Sequence, residues 1–331
     1  MTQIQAGVRD TADRLSCDMG VLPFHPYQRV RSYCVSCWRS GEQILGFCGW
    51  VTPSFPGLRR KRRPCHIACG AGQHGLIYHD FGQDLAGDFR VFALTRRGHG
   101  ESDMPATGYD QTTLVEDLRG FLDSQGLKRV HLVGASTAGE ELTRFASKYP
   151  ERVGSLVYLD AAYDRSVDVE SGTPDRPARP TPADRNSVEA YVAYLVRTRG
   201  VSEAPPGVLE RNWRASVALQ ADGKAGMRWG EAQYGEYMRS LTAAPPDYSK
   251  VRAPALAIYA IGVPHDRLER ATPEMRAAIE KHRREIVVPW RTVSVAQFRT
   301  VLRKTKSSNW IRCTIPFCTG LRKPRRSSAP S

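Results

Sequence analysis

The sequence predicts an α/β fold: a mostly parallel sheet flanked by helices, with a helical cap. Three observations carry this. From about residue 66, apolar runs of strand length alternate with amphipathic stretches of helical period, as in a parallel sheet covered by helices. A serine among small residues, Val133-Gly134-Ala135-Ser136-Thr137-Ala138-Gly139, stands between a strand-like and a helix-like run. Between 165 and 250 the alternation stops, and Pro-rich pieces separate amphipathic helices, as expected of an insertion.

The elements follow in order. His66-Ile67-Ala68-Cys69 is a short strand before a glycine turn, and Arg90 to Leu94 is a second strand. Thr112 to Leu127 places Leu114, Leu118, Phe121 and Leu122 at helical spacing. Arg129 to Val133 is a third strand. Gly139 to Tyr149 is the next helix, ended by Pro150. Val153 to Ala162 is a near-continuous apolar run, as for a strand buried on both faces. Val188 to Arg199 is an amphipathic helix within the insertion. Ala255 to Val263 returns to strand, and Pro273 to Arg284 is helical.

Composition divides the chain differently. Of 331 residues 41% are apolar, ordinary for a globular protein, and no run reaches the length of a membrane span. The formal charge is +14, yet residues 70–302 hold thirty residues of each sign. Residues 1–69 carry +6 and residues 303–331 carry +8. All eight cysteines also lie outside 70–302. The expected organisation is an atypical segment over 1–65, core over 66–164, cap over 165–250, core again over 251–302, and a basic, disordered tail over 303–331. Residues 1–65 show no sustained period and lack an opening β-hairpin. With no secretory pattern at the start, a cytoplasmic location is expected.

Four motifs in order carry a resemblance. Arg96-Arg97-Gly98-His99-Gly100-Glu101-Ser102 follows the second of these strands. Gly134 to Gly139 is a nucleophile elbow, in which the turn is so tight that the serine's neighbours must be small. Tyr149-Pro150-Glu151-Arg152-Val153 leads into Leu156-Val157-Tyr158-Leu159-Asp160. In these residues the stretch from about 66 to 300 resembles the α/β-hydrolase fold family, with Thr95 where many members have Asp and Ala138 in place of the last elbow glycine.

The resemblance implies a serine hydrolase acting on a small ester or related acyl substrate, without cofactor or metal. Ser136 is the implied nucleophile; members that form alkyl-enzyme esters carry Asp there. The implied oxyanion donors are the N–H groups of Thr137 and of Ala71, in the loop Cys69-Gly70-Ala71-Gly72. The acid that orients the base is Asp160, with Asp266 the alternative. The base itself is missing. The family places its histidine in a loop near the C-terminus, and residues 283–331 contain none. His265 falls in the wrong loop, His282 reads as solvated surface, His99 lies in a loop and His131 inside a strand. The chain is therefore expected to be impaired as an enzyme; the alternative is a non-catalytic binding protein on the same scaffold.

Smaller features receive plainer readings. Cys34-x-x-Cys37 lacks a matching second pair for a zinc site. The run Arg59-Arg60-Lys61-Arg62-Arg63 is not taken as a nucleic-acid site, and the expected partner is a small-molecule substrate. The sequence leaves the oligomeric state open. Glu140 and Glu141 suit the positive end of a helix dipole.

The break near 303 suggests a change of reading frame. Codons for Ser308 to Cys318, read from each third base, can yield Leu-Asp-x-Val-His-His-x-apolar-Leu, with Val one of three outcomes, the first His one of two and the second one of several. That resembles the family's last strand and histidine loop. Sequencing the gene checks this: a His codon is expected across Thr314 and Ile315 in the shifted frame, and its absence there sinks the idea.

Overall fold

The computed structural model describes residues 35–40, 43–47, 49–51, 63–68, 74–169, 171–174, 176–199, 207–260, 268 and 271–302; for those before 64, and for 66–68 and 301–302, the description is of backbone alone. The central sheet has six strands: β3 (Gly49–Val51), β4 (Arg63–Ala68), β5 (Phe89–Leu94), β6 (Val130–Ala135), β7 (Val153–Leu159) and β10 (Ala255–Ile258). Their order across the sheet is β10-β7-β6-β4-β5-β3, and only β3, paired with β5, runs antiparallel.

The parallel strands are buried on both faces, and alternate side chains divide between two clusters. Phe92, Val130, Leu132 and Leu156 face α2 (Gln111–Ser124) and α3 (Ala138–Lys148). Val91, Ala93, Val133 and Ala135 face the side covered by α1 (His79–Leu85). This explains why the strands read as continuous apolar runs. Helix α2 starts where Asp110 accepts the N–H groups of Thr112 and Thr113, at 2.8 and 3.0 Å.

The insertion holds α4 (Val188–Arg199), α5 (Val208–Ser216), a small hairpin of β8 (Val217–Leu219) with β9 (Ala225–Met227), and α6 (Glu231–Leu241). It is thus helical with one short hairpin that the sequence reading did not anticipate. After β10 come α7 (Pro273–His282), a π-turn over Arg283–Val287 and α8 (Val288–Leu302). All of α8 lies beyond the helix read from sequence, because its apolar residues do not gather on one face and leave no clear helical stripe. Of the expected strand Ala255 to Val263, β10 takes Ala255–Ile258, Tyr259 and Ala260 follow outside it, and 261–263 lie outside the described residues.

One expectation is overturned. Residues before 65 do form a hairpin, β1 (Val35–Ser40) with β2 (Gln43–Phe47), antiparallel. The pairing shifts register between Val35 and Trp38. A bulge changes which residues share a face, so no single alternation runs through β1. The Cys34-x-x-Cys37 pair, the basic run from Arg59 to Arg62, and 303–331 with its shifted-frame segment lie outside the described residues, apart from the backbone of Cys37. Among the described residues no helix is long and apolar enough to cross a membrane.

Helix α8 reaches the core through Phe298, which is fully buried. Its ring meets Tyr158 and Tyr248 edge-on, with centroids 5.2 and 5.0 Å apart. Phe298→Ala is expected to cost about 3–5 kcal/mol of folding free energy. Denaturant melts check this; a loss under about 1 kcal/mol would mean that α8 is not part of the core.

Candidate active site

Three parallel strands end side by side. Ala135 of β6 pairs with Leu159 of β7, and Leu159 pairs with Ile258 of β10. The next residues, Ser136 and Asp160, therefore leave the sheet at the same edge, on adjacent strands about 5 Å apart. This is the C-terminal edge, where sites form in open α/β sheets. The backbone continues the pairing one step further: Ser136 N–H donates to Leu159 O at 3.1 Å, and Asp160 N–H donates to Ile258 O at 2.7 Å.

Ser136 has φ +53° and Asp160 φ +48°, the two non-glycine residues with positive φ among those described. A side chain in that region is strained, of order 1–3 kcal/mol, and persists only where the surroundings hold it. At Ser136 the hold comes from close packing. A Cβ on Gly139 would collide with the carbonyl oxygen of Ala161, and one on Gly134 would lie 2.9 Å from a Leu142 methyl. Helix α3 can start against the end of β7 only because these two positions are bare. Ala138, where the resemblance leads one to expect the last elbow glycine, is fully buried without such a collision, and Gly139 supplies the close approach instead.

Thr137 is the N-cap residue of α3, so its N–H belongs to the helix turn that Ser136 opens. Ser136 itself is half-buried, and among the described residues no side chain hydrogen-bonds its hydroxyl. Asp160 Oδ1 accepts the N–H of Ala260 at 3.0 Å and the hydroxyl of Tyr163. Its Oδ2 has no partner among the described residues. Burial, then the nearby Asp160 charge, pushes the Tyr163 phenol well above its usual range, so it stays a donor. Tyr163 is sandwiched by Trp290 of α8, stacked at 4.4 Å. Neither Tyr163 nor the Ala260 amide was singled out in the sequence; only the chain path past β7 and β10 brings them to Asp160. Ala71, Asp266 and His265 lie outside the described residues.

The described histidines are held elsewhere. His131 Nδ1 bonds Ser155 Oγ at 2.8 Å within the sheet. His282 is not solvated surface as expected: it is half-buried, and its Nε2 donates to Val169 O at 3.1 Å. His74 Nδ1 accepts the Leu76 N–H, which leaves Nε2 to donate to Glu101 at 3.1 Å. His99 is buried, bonded through Nδ1 to Arg97 O at 3.0 Å, and packed on Trp229 of the insertion at 4.5 Å.

Glu140 and Glu141 stand in the first turn of α3, as the dipole reading expects. Both are buried, Glu140 bonding Arg144 and Glu141 bonding Arg96. Arg97 grips Asp117 of α2 with two bonds of 2.6 Å. Among the described residues no cluster of three or more His, Cys, Asp or Glu is arranged to hold a metal.

His99 gives the fold a pH dependence. Burial, reinforced by the Arg96 charge, pulls its imidazole down to about 3 from 6.5. The unfolded chain takes up this proton near pH 6.5, the folded chain only near 3. The resulting stability is full above about pH 6.5 and is lost as pH falls toward 3. His99→Gln is expected to flatten the fall of unfolding free energy between those limits. Denaturant melts at stepped pH check this; an unchanged slope would overturn it.

Comparison with known proteins agrees with this fold. The sequence model for the alpha/beta hydrolase fold matches residues 66–247, more than half the chain. A non-heme chloroperoxidase of Streptomyces lividans is 37% identical over 78 residues, 23% of this chain and 28% of that protein. A 2-(acetamidomethylene)succinate hydrolase of Mesorhizobium japonicum is 36% identical over 76 residues, 23% of this chain and 27% of that one. The chain thus spans under a third of the length of these relatives. Among solved structures, E-2-(acetamidomethylene)succinate hydrolase aligns with TM-score 0.52 at 20% identity, over 73% of this chain and 84% of that one. The thioesterase domain from the curacin biosynthetic pathway aligns with TM-score 0.53 at 14% identity, over 81% and 98%. With the family model covering more than half of the chain, from within β4 through β5, β6 and β7 to α6, the chain belongs to the alpha/beta hydrolase family.

Proposed function

We propose that this protein is a serine hydrolase of small esters or related acyl compounds, working through an acyl-enzyme on Ser136. The observation that carries the reading is the positive φ of Ser136 at the β6–α3 corner. Strain of this kind, held by two bare glycines, points to a side chain whose direction matters. Small-molecule hydrolases among the relatives support the substrate class.

In this mechanism a base takes the Ser136 proton as the oxygen attacks the acyl carbon. The N–H groups of Thr137 and Ala71 stabilise the oxyanion. The tetrahedral adduct collapses, the alcohol leaves, and water attacks the acyl-enzyme to release the acid. Asp160 is the proposed orienting acid, supported by its place beside Ser136 and by its unengaged Oδ2; Asp266 is the alternative. The base is the weak point, since no imidazole bonds Ser136 or Asp160 among the described residues. Without a triad member, catalysis drops by roughly 10⁴-fold or more. The same observation favours the second reading, a binding protein on a hydrolase scaffold.

The full chain is to be assayed on p-nitrophenyl acetate and butyrate beside Ser136→Ala. The expected result is turnover roughly 10⁴-fold below that of a complete triad, abolished by Ser136→Ala. Ordinary turnover lost in that variant would sink the impaired reading. Saturable ester binding with no Ser136-dependent turnover would replace the hydrolase with the binding protein. Asp160→Asn and Asp266→Asn, run in parallel, separate the two acids: only the true one lowers what Ser136 contributes.

A further inference from the structure

Arg96 stands just beyond β5, and its side chain is buried, 8% exposed. One guanidinium nitrogen, Nη2, donates to Glu141 Oε2 at 2.6 Å. The other, Nη1, reaches the Tyr237 hydroxyl at 3.4 Å, with Cζ 5.7 Å from that ring's centre. Glu141 lies in the first turn of α3, the helix that Ser136 opens, and Tyr237 lies on α6 of the cap. A single buried cation therefore touches both the nucleophile's helix and the cap. Its neighbour Arg97 has a different task, gripping Asp117 of α2.

Elsewhere in this seam, cap side chains accept core backbone N–H groups. Glu236 Oε1 accepts those of Gly108 and Tyr109, both at 3.0 Å. Ser240 Oγ accepts that of Gln111 at 2.9 Å, and Asn212 Oδ1 that of His74 at 2.8 Å. These contacts end on core loops and on the first residue of α2, whereas the contact through Arg96 runs on to α3.

Stability alone is a poor reason for the Arg96–Glu141 pair. Taking both charges out of water offsets most of their attraction, and an apolar pair of similar volume often holds a fold as well or better. Direction is what the pair adds. A planar fork bonded at 2.6 Å fixes an angle that apolar contact leaves loose. Burial also raises the Glu141 carboxyl above its usual range despite Arg96, as expected of a site that is costly to keep charged.

We propose that Arg96 is a positioning residue: through Glu141 and Tyr237 it holds the helix opened by Ser136 in register with the cap. Its consequence for catalysis rests on Ser136 being the nucleophile; its structural consequence does not. The test compares the full-length wild type with Arg96→Met/Glu141→Leu, which removes the directional link without stranding a buried charge, and with Glu141→Gln, which keeps an acceptor. Backbone hydrogen exchange and ester turnover are measured for all three. The double variant is expected to melt at or above the wild-type temperature, yet to exchange faster both in 138–142 and in 234–241. Any Ser136-dependent kcat should fall by about 10²-fold with KM little changed, as for a reacting group misplaced by about 1 Å. Glu141→Gln should restore most of the protection. Faster exchange in only one of the two helices, or unchanged exchange in both, would overturn the proposal. Should the wild type show no ester turnover, the hydrolase reading fails, and exchange alone decides this one.

Discussion

Helix α3 begins in contact with the end of β7, where the Gly139 backbone rests against the Ala161 carbonyl with no room for a side chain. Almost everything distinctive about the molecule depends on that contact. It forces the chain to turn within one residue of β6, which places Ser136 at φ +53° and directs it off the edge of the sheet. It brings the N-terminal turn of α3, with its Thr137 cap, beside the same edge. Moved outward by the width of a methyl group, α3 would leave Ser136 free to relax into ordinary backbone, and the corner would present nothing.

The second strained residue shows how the adjacent strand is held. Asp160 is fixed from both sides, by the Ile258 carbonyl on its N–H and by the Ala260 N–H on its Oδ1. Tyr163 closes the bracket, itself stacked on Trp290. The ends of β7 and β10 and the start of α8 are thus one unit. A carboxylate in such a bracket is well oriented. It also serves the fold, since it satisfies a backbone N–H just past the last rung of the β7–β10 ladder.

Buried charge is concentrated on the loop after β5. Arg96 and Arg97 point to different helices, α3 and α2, and each finds a carboxylate at 2.6 Å. The doublet reads in sequence as part of a family motif, but nothing in the text says which arginine pairs with which acid. Glu140 and Glu141, adjacent in sequence, likewise separate: one turns back to Arg144 of its own helix, the other crosses to Arg96. Helical geometry turns successive side chains by about 100°, so neighbours in the chain face different surroundings.

The sequence by itself determined the parallel strands of the sheet, the elbow and the order of the core elements, but not the antiparallel edge strand β3. Strand and helix periods are local, and a glycine-lined corner can be read wherever backbone must approach backbone. Val188 to Arg199 is helical as its spacing requires, and β5, β6 and β7 lie where the apolar runs lie. The opening hairpin escaped because a bulge breaks its alternation, and α8 because its apolar residues do not gather on one face. Only the tertiary structure decided what Ser136 and Asp160 meet. Partners such as Ala260 for Asp160, Tyr237 for Arg96 and Trp290 for Tyr163 lie from 100 to more than 140 residues away along the chain. Contacts at that separation are set by how helices and strands stack, and no local pattern encodes them.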